Sequence, residues 1–139
     1  MPAKRKVVAV IDDDLGILGA MGRLLSAFGY NTELYASAKE FLDAAMTTEA
    51  TCLIVDIELG ESCGIELAQH LANAGFTMPI IFMTANDNES VKRRAMEIGG
   101  GAFLLKPFSA NVLIEALVNL SPRSTVSIPH WKLNSFSWT

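Results

Sequence analysis

The sequence predicts an α/β fold in which a parallel sheet of five strands is covered on both faces by five helices. Short apolar runs alternate five times with segments of helical periodicity, and the links between them are short. Such apolar runs are typical of strands that are buried on both faces, as they are in parallel sheets. The chain has 139 residues, of which 50% are hydrophobic, so it can form one domain with a sizeable core.

The five strands are expected in chain order at residues 7–11, 31–35, 51–56, 79–84 and 102–105. The second run alternates polar and apolar residues, which predicts a strand at the edge of the sheet. The expected strand order is 2-1-3-4-5. Strands 1 and 3 then flank the point where the order of the strands reverses, and ligands bind at such points.

Each predicted helix follows a strand, and four have a clear capping residue. Asp14 begins the first helix, Ser37 to Glu40 form a capping box, the turn at residues 86–88 begins the fourth, and Ser109 begins the fifth. The inward faces are expected to carry Leu15, Leu18, Met21, Leu25 and Phe28; Phe41, Leu42, Ala45 and Met46; Ile65, Ala68, Leu71 and Ala72; Val91, Ala95 and Ile98; and Leu113, Ala116, Leu117 and Leu120.

Several classes of protein fit the composition poorly. A net charge of −4 argues against a nucleic-acid-binding surface, and no apolar run approaches the roughly 18 residues of a membrane span. The basic start followed by an apolar run imitates a signal peptide, but that run has only five residues before three Asp, so a cytoplasmic protein is expected. Cys52 and Cys63 are too few for a disulfide framework and lack zinc-ligand spacing.

A change of composition after Leu120 predicts a domain over residues 1–120 and a tail over 121–139. The tail is rich in Ser and Pro, has no acidic residue, and contains Trp131, Phe136 and Trp138. Such a segment is expected to be disordered or to dock on a partner.

Four of the five strands end in residues that can carry chemistry: Asp12 and Asp13, Asp56, Thr84, and Lys106. In a parallel sheet these ends lie on one edge, so a shared pocket is expected. Carboxylates about 4 Å apart would repel by roughly 4 kcal/mol per pair, so they need a cation, and an all-oxygen site suits Mg²⁺. This set favours phosphoryl transfer, with Asp56 as the nucleophile and Thr84 as a hydrogen-bond donor.

The motifs at these strand ends resemble the receiver domain of two-component response regulators, over about residues 5–120. They are Val-Ile-Asp-Asp-Asp at 10–14, Val-Asp-Ile-Glu-Leu at 55–59 with Gly64 downstream, Phe-Met-Thr-Ala at 82–85, and Phe-Leu-Leu-Lys-Pro-Phe at 103–108. The resemblance is nearest to the branch in which a LuxR-type helix-turn-helix follows the receiver. It implies a flavodoxin-like fold and a phosphorylation-activated signalling switch.

The resemblance also implies how an ion is held. Asp13 would bind Mg²⁺ directly, with Mn²⁺ as the alternative ion, and Asp12 would act through water. Three consecutive Asp leave the register open, so Asp14 is kept as an alternative. Asp56 and the backbone carbonyl of Glu58 would complete the site.

Further roles implied by the resemblance concern the switch. A sensor histidine kinase, or a small acyl phosphate, would phosphorylate Asp56. Lys106 would pair with the phosphoryl group, and the Lys106–Pro107 bond would be cis. Thr84 would move toward the phosphoryl group and Phe103 would swing inward. The face of helix 4, strand 5 and helix 5 would then bind a partner, and a second copy of the chain is one candidate for that partner. This chain itself would contact neither nucleic acid nor membrane.

This sequence departs from the family pattern at three points. The family usually has a Gly-Ala pair before strand 5, whereas this chain has Gly99-Gly100-Gly101-Ala102, which should loosen the link between helix 4 and strand 5. Glu58 and Asn86 sit beside the expected phosphoryl site, where they would tune hydrolysis of the aspartyl phosphate. The residues after Leu120 do not have the pattern of a helix-turn-helix, so the sequence does not identify an output domain or an output partner.

Two alternative functions share parts of this residue set. A haloacid-dehalogenase-like phosphatase also uses Asp, a hydroxyl, Lys and Mg²⁺, but it carries its nucleophile on the first strand and its acidic pair last. A flavodoxin-like nucleotide binder would need a Gly-rich or hydroxyl-rich phosphate loop after strand 1, which is absent from the sequence. The favoured interpretation is a switch that promotes only its own phosphoryl transfer and hydrolysis and is not otherwise an enzyme.

Overall fold

The structure is a computed structural model that describes residues 5–60 and 62–120. The predicted tail at 121–139 therefore lies outside the described residues. The elements are β1 Val7–Ile11, α1 Leu15–Ala27, β2 Asn31–Tyr35, α2 Ala38–Ala44, β3 Cys52–Asp56, β4 Glu58–Leu59, β5 Ser62–Cys63, α3 Gly64–Asn73, β6 Ile80–Thr84, α4 Glu89–Glu97, β7 Ala102–Leu105 and α5 Ala110–Asn119.

The main sheet has five parallel strands in the order β2-β1-β3-β6-β7. Without the small hairpin of β4 and β5, this is the predicted order 2-1-3-4-5. The antiparallel hairpin was not predicted, because two residues per strand are too few for any periodicity to register. It matters for the site, since β4 begins two residues after Asp56 and places Glu58 beside it.

The sheet separates two apolar cores. One core lies under α2, α3 and α4 and includes Phe41, Leu71 and Ala95, whereas the other lies under α1 and α5 and includes Leu25 and Leu113. All five of these side chains are almost fully buried. Both faces of the sheet are therefore covered, as the continuous apolar strands require.

Most predicted helix starts are confirmed by their capping hydrogen bonds. The side chains of Asp14, Ser37, Asn88 and Ser109 each accept a backbone N–H of the helix that follows. These bonds satisfy N–H groups that have no partner within the helix.

Three residues predicted on inward helix faces are exposed instead. Leu15 is 71% exposed because it lies in the first turn of α1, next to the edge of the sheet. Phe28 follows the last turn of α1, and Met46, which is 89% exposed, lies beyond the end of α2 at Ala44. Helical periodicity correctly predicted the middle of each face, but it does not specify where the helix leaves the sheet.

A close contact explains one of the three glycines in α1. A Cβ on Gly22 would lie 2.9 Å from Cδ1 of Leu34 on β2, so the helix packs against the edge strand through a position without a side chain.

Across the described part of the chain, no helix combines the length and the apolar character needed to cross a bilayer.

Candidate functional site

Three carboxylates meet at the carboxyl edge of the sheet. Asp12 and Asp13 follow β1, and Asp56 ends β3, which lies beside β1 with Ile11 paired to Val55. One carboxylate oxygen of each Asp lies within 4.8 Å of the others. Asp12 and Asp56 are buried and Asp13 is exposed, so the cluster has a closed side and a side open to solvent.

Backbone amides hold the two buried carboxylates in place. The N–H of Asp14 donates to Oδ1 of Asp12 at 2.9 Å, and the N–H of Glu58 donates to Oδ1 of Asp56 at 2.8 Å. Each carboxylate therefore has one oxygen bound to the backbone. The other oxygen, Oδ2, is left for a further partner.

That partner is Lys106, which follows β7. Its Nζ lies 2.9 Å from Oδ2 of Asp12 and 2.6 Å from Oδ2 of Asp56. The N–H of Lys106 donates to the carbonyl of Thr84 at 2.7 Å, and the Lys106–Pro107 peptide bond is cis. One ammonium thus faces two buried carboxylates with a third at the rim, which leaves an excess of negative charge.

Burial and charge shift the ionisation of this pair. Burial raises the pKa of Asp56 above its ordinary value, although Lys106 and the Glu58 N–H both donate to the carboxylate. For Lys106, burial acts to lower the pKa, but the hydrogen bonds to Asp56 and Asp12 outweigh it, and the pKa is raised. The ammonium therefore stays charged and remains between the two carboxylates.

Thr84 lies at the end of β6, the neighbour of β3, and is fully buried. Its hydroxyl donates to the carboxylate of Glu58, whose two oxygens both lie 2.7 Å away, and it accepts the N–H of Asn86 at 3.0 Å. The contact between Thr84 and Glu58 was missed in the sequence. It joins residues 26 positions apart on separate elements, so no local pattern could reveal it.

The remaining candidates are Phe103 and Asp14. Phe103 is half-buried on β7 and packs on the core under α2, α3 and α4, with Nζ of Lys92 5.9 Å from its ring centroid. Asp14 caps α1 through its side chain and is not in the three-carboxylate cluster of the described residues.

The donor set fits a hard divalent cation. Carboxylate oxygens and nearby carbonyls are the ligands that such ions prefer, and a partly open acidic site leaves room for water ligands. The excess negative charge at Asp12, Asp13 and Asp56 supplies the electrostatic attraction. The cluster is therefore an acidic pocket able to hold a metal ion.

The sequence is similar to a known family of proteins. A profile of the family described as response regulator receiver domain matches residues 8–118. The response regulator protein TodT of Pseudomonas putida is 29% identical over 132 residues, covering 93% of this chain and 58% of TodT. The transcriptional regulatory protein FixJ of Azorhizobium caulinodans is 33% identical over 110 residues, covering 79% of this chain and 52% of FixJ. The chain thus spans little more than half the length of these relatives.

Solved structures share the fold. A response regulator receiver protein from Burkholderia phymatum superposes with a TM-score of 0.72 at 36% identity, covering 81% of this chain and 92% of that one. Full-length FixJ from B. japonicum superposes with a TM-score of 0.77 at 28% identity, covering 86% of this chain and 61% of that one. CheY4 of Vibrio cholerae, at 23% identity and a TM-score of 0.75 over 83% of this chain and 98% of that one, supports the fold alone.

Proposed function

We propose that in this chain, which belongs to the response regulator receiver domain family, Asp56 accepts the phosphoryl group of a two-component phosphorelay. The role of the domain is that of a phosphorylation-activated switch. The observation that carries the assignment of Asp56 is its position, buried at the carboxyl edge of the sheet beside Asp12 and Asp13 and 2.6 Å from the ammonium of Lys106.

The chemical step is a displacement at phosphorus. A carboxylate oxygen of Asp56 forms a P–O bond as the P–N bond of a kinase phosphohistidine breaks. The electron pair of that bond stays on the imidazole nitrogen, which takes a proton from solvent. Lys106 is placed to offset charge on the phosphoryl oxygens, because its Nζ already contacts the nucleophilic carboxylate.

A divalent ion fits the acidic pocket. We assign its ligands to Asp13 and Asp56 directly, to Asp12 through water, and to the backbone carbonyl of Glu58. Mg²⁺ is the expected ion and Mn²⁺ the alternative. When bound, it would neutralise charge on the transferring phosphoryl group.

Phosphorylation replaces the single negative charge of the Asp56 carboxylate with about two negative charges on phosphoryl oxygens, which attract the proton of the Thr84 hydroxyl. We assign Thr84 and Phe103 as the residues that carry the change to the face of α4, β7 and α5. The proposed partners are a sensor histidine kinase and, after phosphorylation, a second copy of the chain through this face. No direct contact with nucleic acid is proposed for residues 5–120.

The proposed boundaries are a receiver over residues 1–120 and a tail over 121–139, in a cytoplasmic protein. The family match, which ends at residue 118, supports a boundary near Leu120. It also favours a switch over a haloacid-dehalogenase-like phosphatase. We accordingly propose that the chain promotes its own phosphorylation and dephosphorylation and acts on no other substrate.

The test is intact mass after incubation with Mg²⁺ and acetyl phosphate. The native chain is expected to gain one phosphoryl group, and Asp56→Asn is expected to gain none. Asp43→Asn is the matched control, because Asp43 is an exposed carboxylate on α2 that pairs with Lys39. Equal labelling of the Asp56→Asn variant, or sustained release of phosphate over many turnovers, would contradict the proposal.

A further inference from the structure

The hydrogen-bonding capacity of the Thr84 hydroxyl is already in use in this state. Its single proton is shared between two oxygens of Glu58, each 2.7 Å from Oγ1. The same oxygen accepts the N–H of Asn86 at 3.0 Å. Thr84 is fully buried, so water does not compete for this hydroxyl.

Glu58 contacts both parts of the proposed switch at once. Its backbone N–H holds Oδ1 of Asp56 at 2.8 Å, while its side chain accepts the proton of Thr84. Because a hydroxyl has one proton, Thr84 cannot donate to a group on Asp56 without first leaving the Glu58 carboxylate. Glu58 is an exposed residue, so its side chain can turn into solvent when it is released.

We infer that Glu58 is a positioning residue whose carboxylate holds Thr84 in the unphosphorylated arrangement, so that a phosphoryl group must displace it. This inference rests on the proposed function, since it assumes an anion on Asp56. The bond that Thr84 must give up is itself charge-assisted, because its acceptor is a carboxylate, so losing it offsets part of the gain from the new bond to the anion. Glu58 thereby lowers the affinity of the site for an anion, because part of the binding free energy is used to release Thr84 from Glu58.

A direct effect of charge is the competing explanation. The Glu58 carboxylate would repel an anion on Asp56 whether or not it held Thr84. The two explanations separate when the Thr84 hydroxyl is removed. Thr84→Val keeps the shape of the side chain but has no proton to donate, so a substitution of Glu58 loses its effect only if that effect passes through Thr84.

The experiment measures the affinity of the whole chain for beryllofluoride in the presence of Mg²⁺, by calorimetry. Beryllofluoride imitates a phosphoryl group without forming the acyl phosphate bond of an aspartyl phosphate, so binding is measured apart from hydrolysis. Glu58→Ala is expected to bind about tenfold more tightly than the native chain, with Glu58→Gln in between because its amide oxygen still accepts a hydrogen bond. Glu66→Gln removes an exposed carboxylate from α3 and is expected to leave the affinity unchanged.

The decisive comparison is made in the Thr84→Val background, where Glu58→Ala is expected to change the affinity by less than about twofold. An undiminished tenfold gain there would overturn the inference in favour of direct repulsion, as would an unchanged affinity of Glu58→Ala in the native background. If Thr84→Val does not fold, the Thr84 methyl resonance replaces it as the readout. In anion-free Glu58→Ala, that resonance is expected to move toward its beryllofluoride-bound position, and an unmoved resonance would overturn the inference.

Failure of the proposed function has a different signature. In that case the native chain would bind beryllofluoride no better than Asp56→Asn does. Binding that depends on Asp56 but is indifferent to Glu58 would leave the phosphoacceptor assignment in place and remove only the role of Glu58.

Discussion

Gly64 packs directly against the backbone of Asp56, so that a Cβ at position 64 would collide with the Asp56 carbonyl oxygen. The N–H of Gly64 also donates to the carbonyl of Ile57 at 2.8 Å. The start of α3 therefore rests on the residues that end β3. This contact ties the position of the central carboxylate to the packing of a neighbouring helix.

Gly64→Ala is expected to destabilise the domain by about 3 kcal/mol, because the clash is with backbone and cannot be relieved by turning a side chain. Gly19→Ala is the matched control. Gly19 lies inside α1 with only the end of the Arg23 side chain nearby, so Ala is expected to stabilise the domain by up to about 1 kcal/mol. Urea unfolding of both variants measures the difference, and equal effects would argue against the close approach at Gly64.

Lys106→Met is expected to destabilise the metal-free domain by about 2 kcal/mol, since it leaves two buried carboxylates without their ammonium. Adding Asp12→Asn should recover part of that loss by removing the repulsion. The exposed pair Lys39–Asp43 provides the control, because Lys39→Met there is expected to cost less than about 0.5 kcal/mol. Unfolding is measured in the presence of a chelator, and a Lys106→Met variant as stable as the native chain would contradict the arrangement.

Glu33 on β2 is expected to make stability depend on pH. Partial burial acts to raise its pKa, but hydrogen bonds from Thr48, Tyr35 and the N–H of Glu49 outweigh it, and the pKa is lowered from 4.5. A lowered pKa in the folded state means that the stabilisation is present above about pH 4.5 and is lost as the pH falls through the folded value. Glu33→Gln is therefore expected to destabilise the domain at pH 7 and much less near pH 3.

The measurement is the difference in unfolding free energy between native chain and Glu33→Gln at several pH values. Taking the difference cancels the titration of the other carboxylates, which both chains share. A Glu33→Gln difference that grows on acidification would contradict the prediction.

The two cysteines are expected to react differently with thiol reagents. Burial raises the pKa of Cys52 to about 12, so almost no thiolate is present at pH 8, and the sulfur is buried as well. Cys63 is only half-buried beside α3. Ellman's reagent is expected to modify one thiol in the folded chain and two in guanidinium, and the Cys63→Ser variant should show none until it unfolds.

The sheet and the residues at its carboxyl edge could be predicted because their signals are local. Continuous apolar runs mark β1 and β3, and the polar residue that follows each run marks where its strand reaches the edge. The three main-sheet strands at Val7–Ile11, Asn31–Tyr35 and Ala102–Leu105 have the predicted bounds, and the other two begin one residue later than expected.

Helix ends and the hairpin were less predictable. Leu15 and Met46 satisfy the helical pattern, yet both are exposed, because periodicity records which way a side chain points and not whether anything lies opposite it. The hairpin of Glu58–Leu59 and Ser62–Cys63 has two residues in each strand, too few for a periodic pattern to be recognised in the sequence.

The sequence by itself determined the alternation of strands and helices, the buried character of the sheet and the identity of the residues at its carboxyl edge. Only the tertiary structure decided how those residues are paired: Lys106 between Asp12 and Asp56, and Thr84 bound to Glu58. The reason is one of range. Apolar periodicity and helix caps act between residues a few positions apart, whereas these bonds join residues 26 to 94 positions apart, whose distances are set by the packing of the whole sheet.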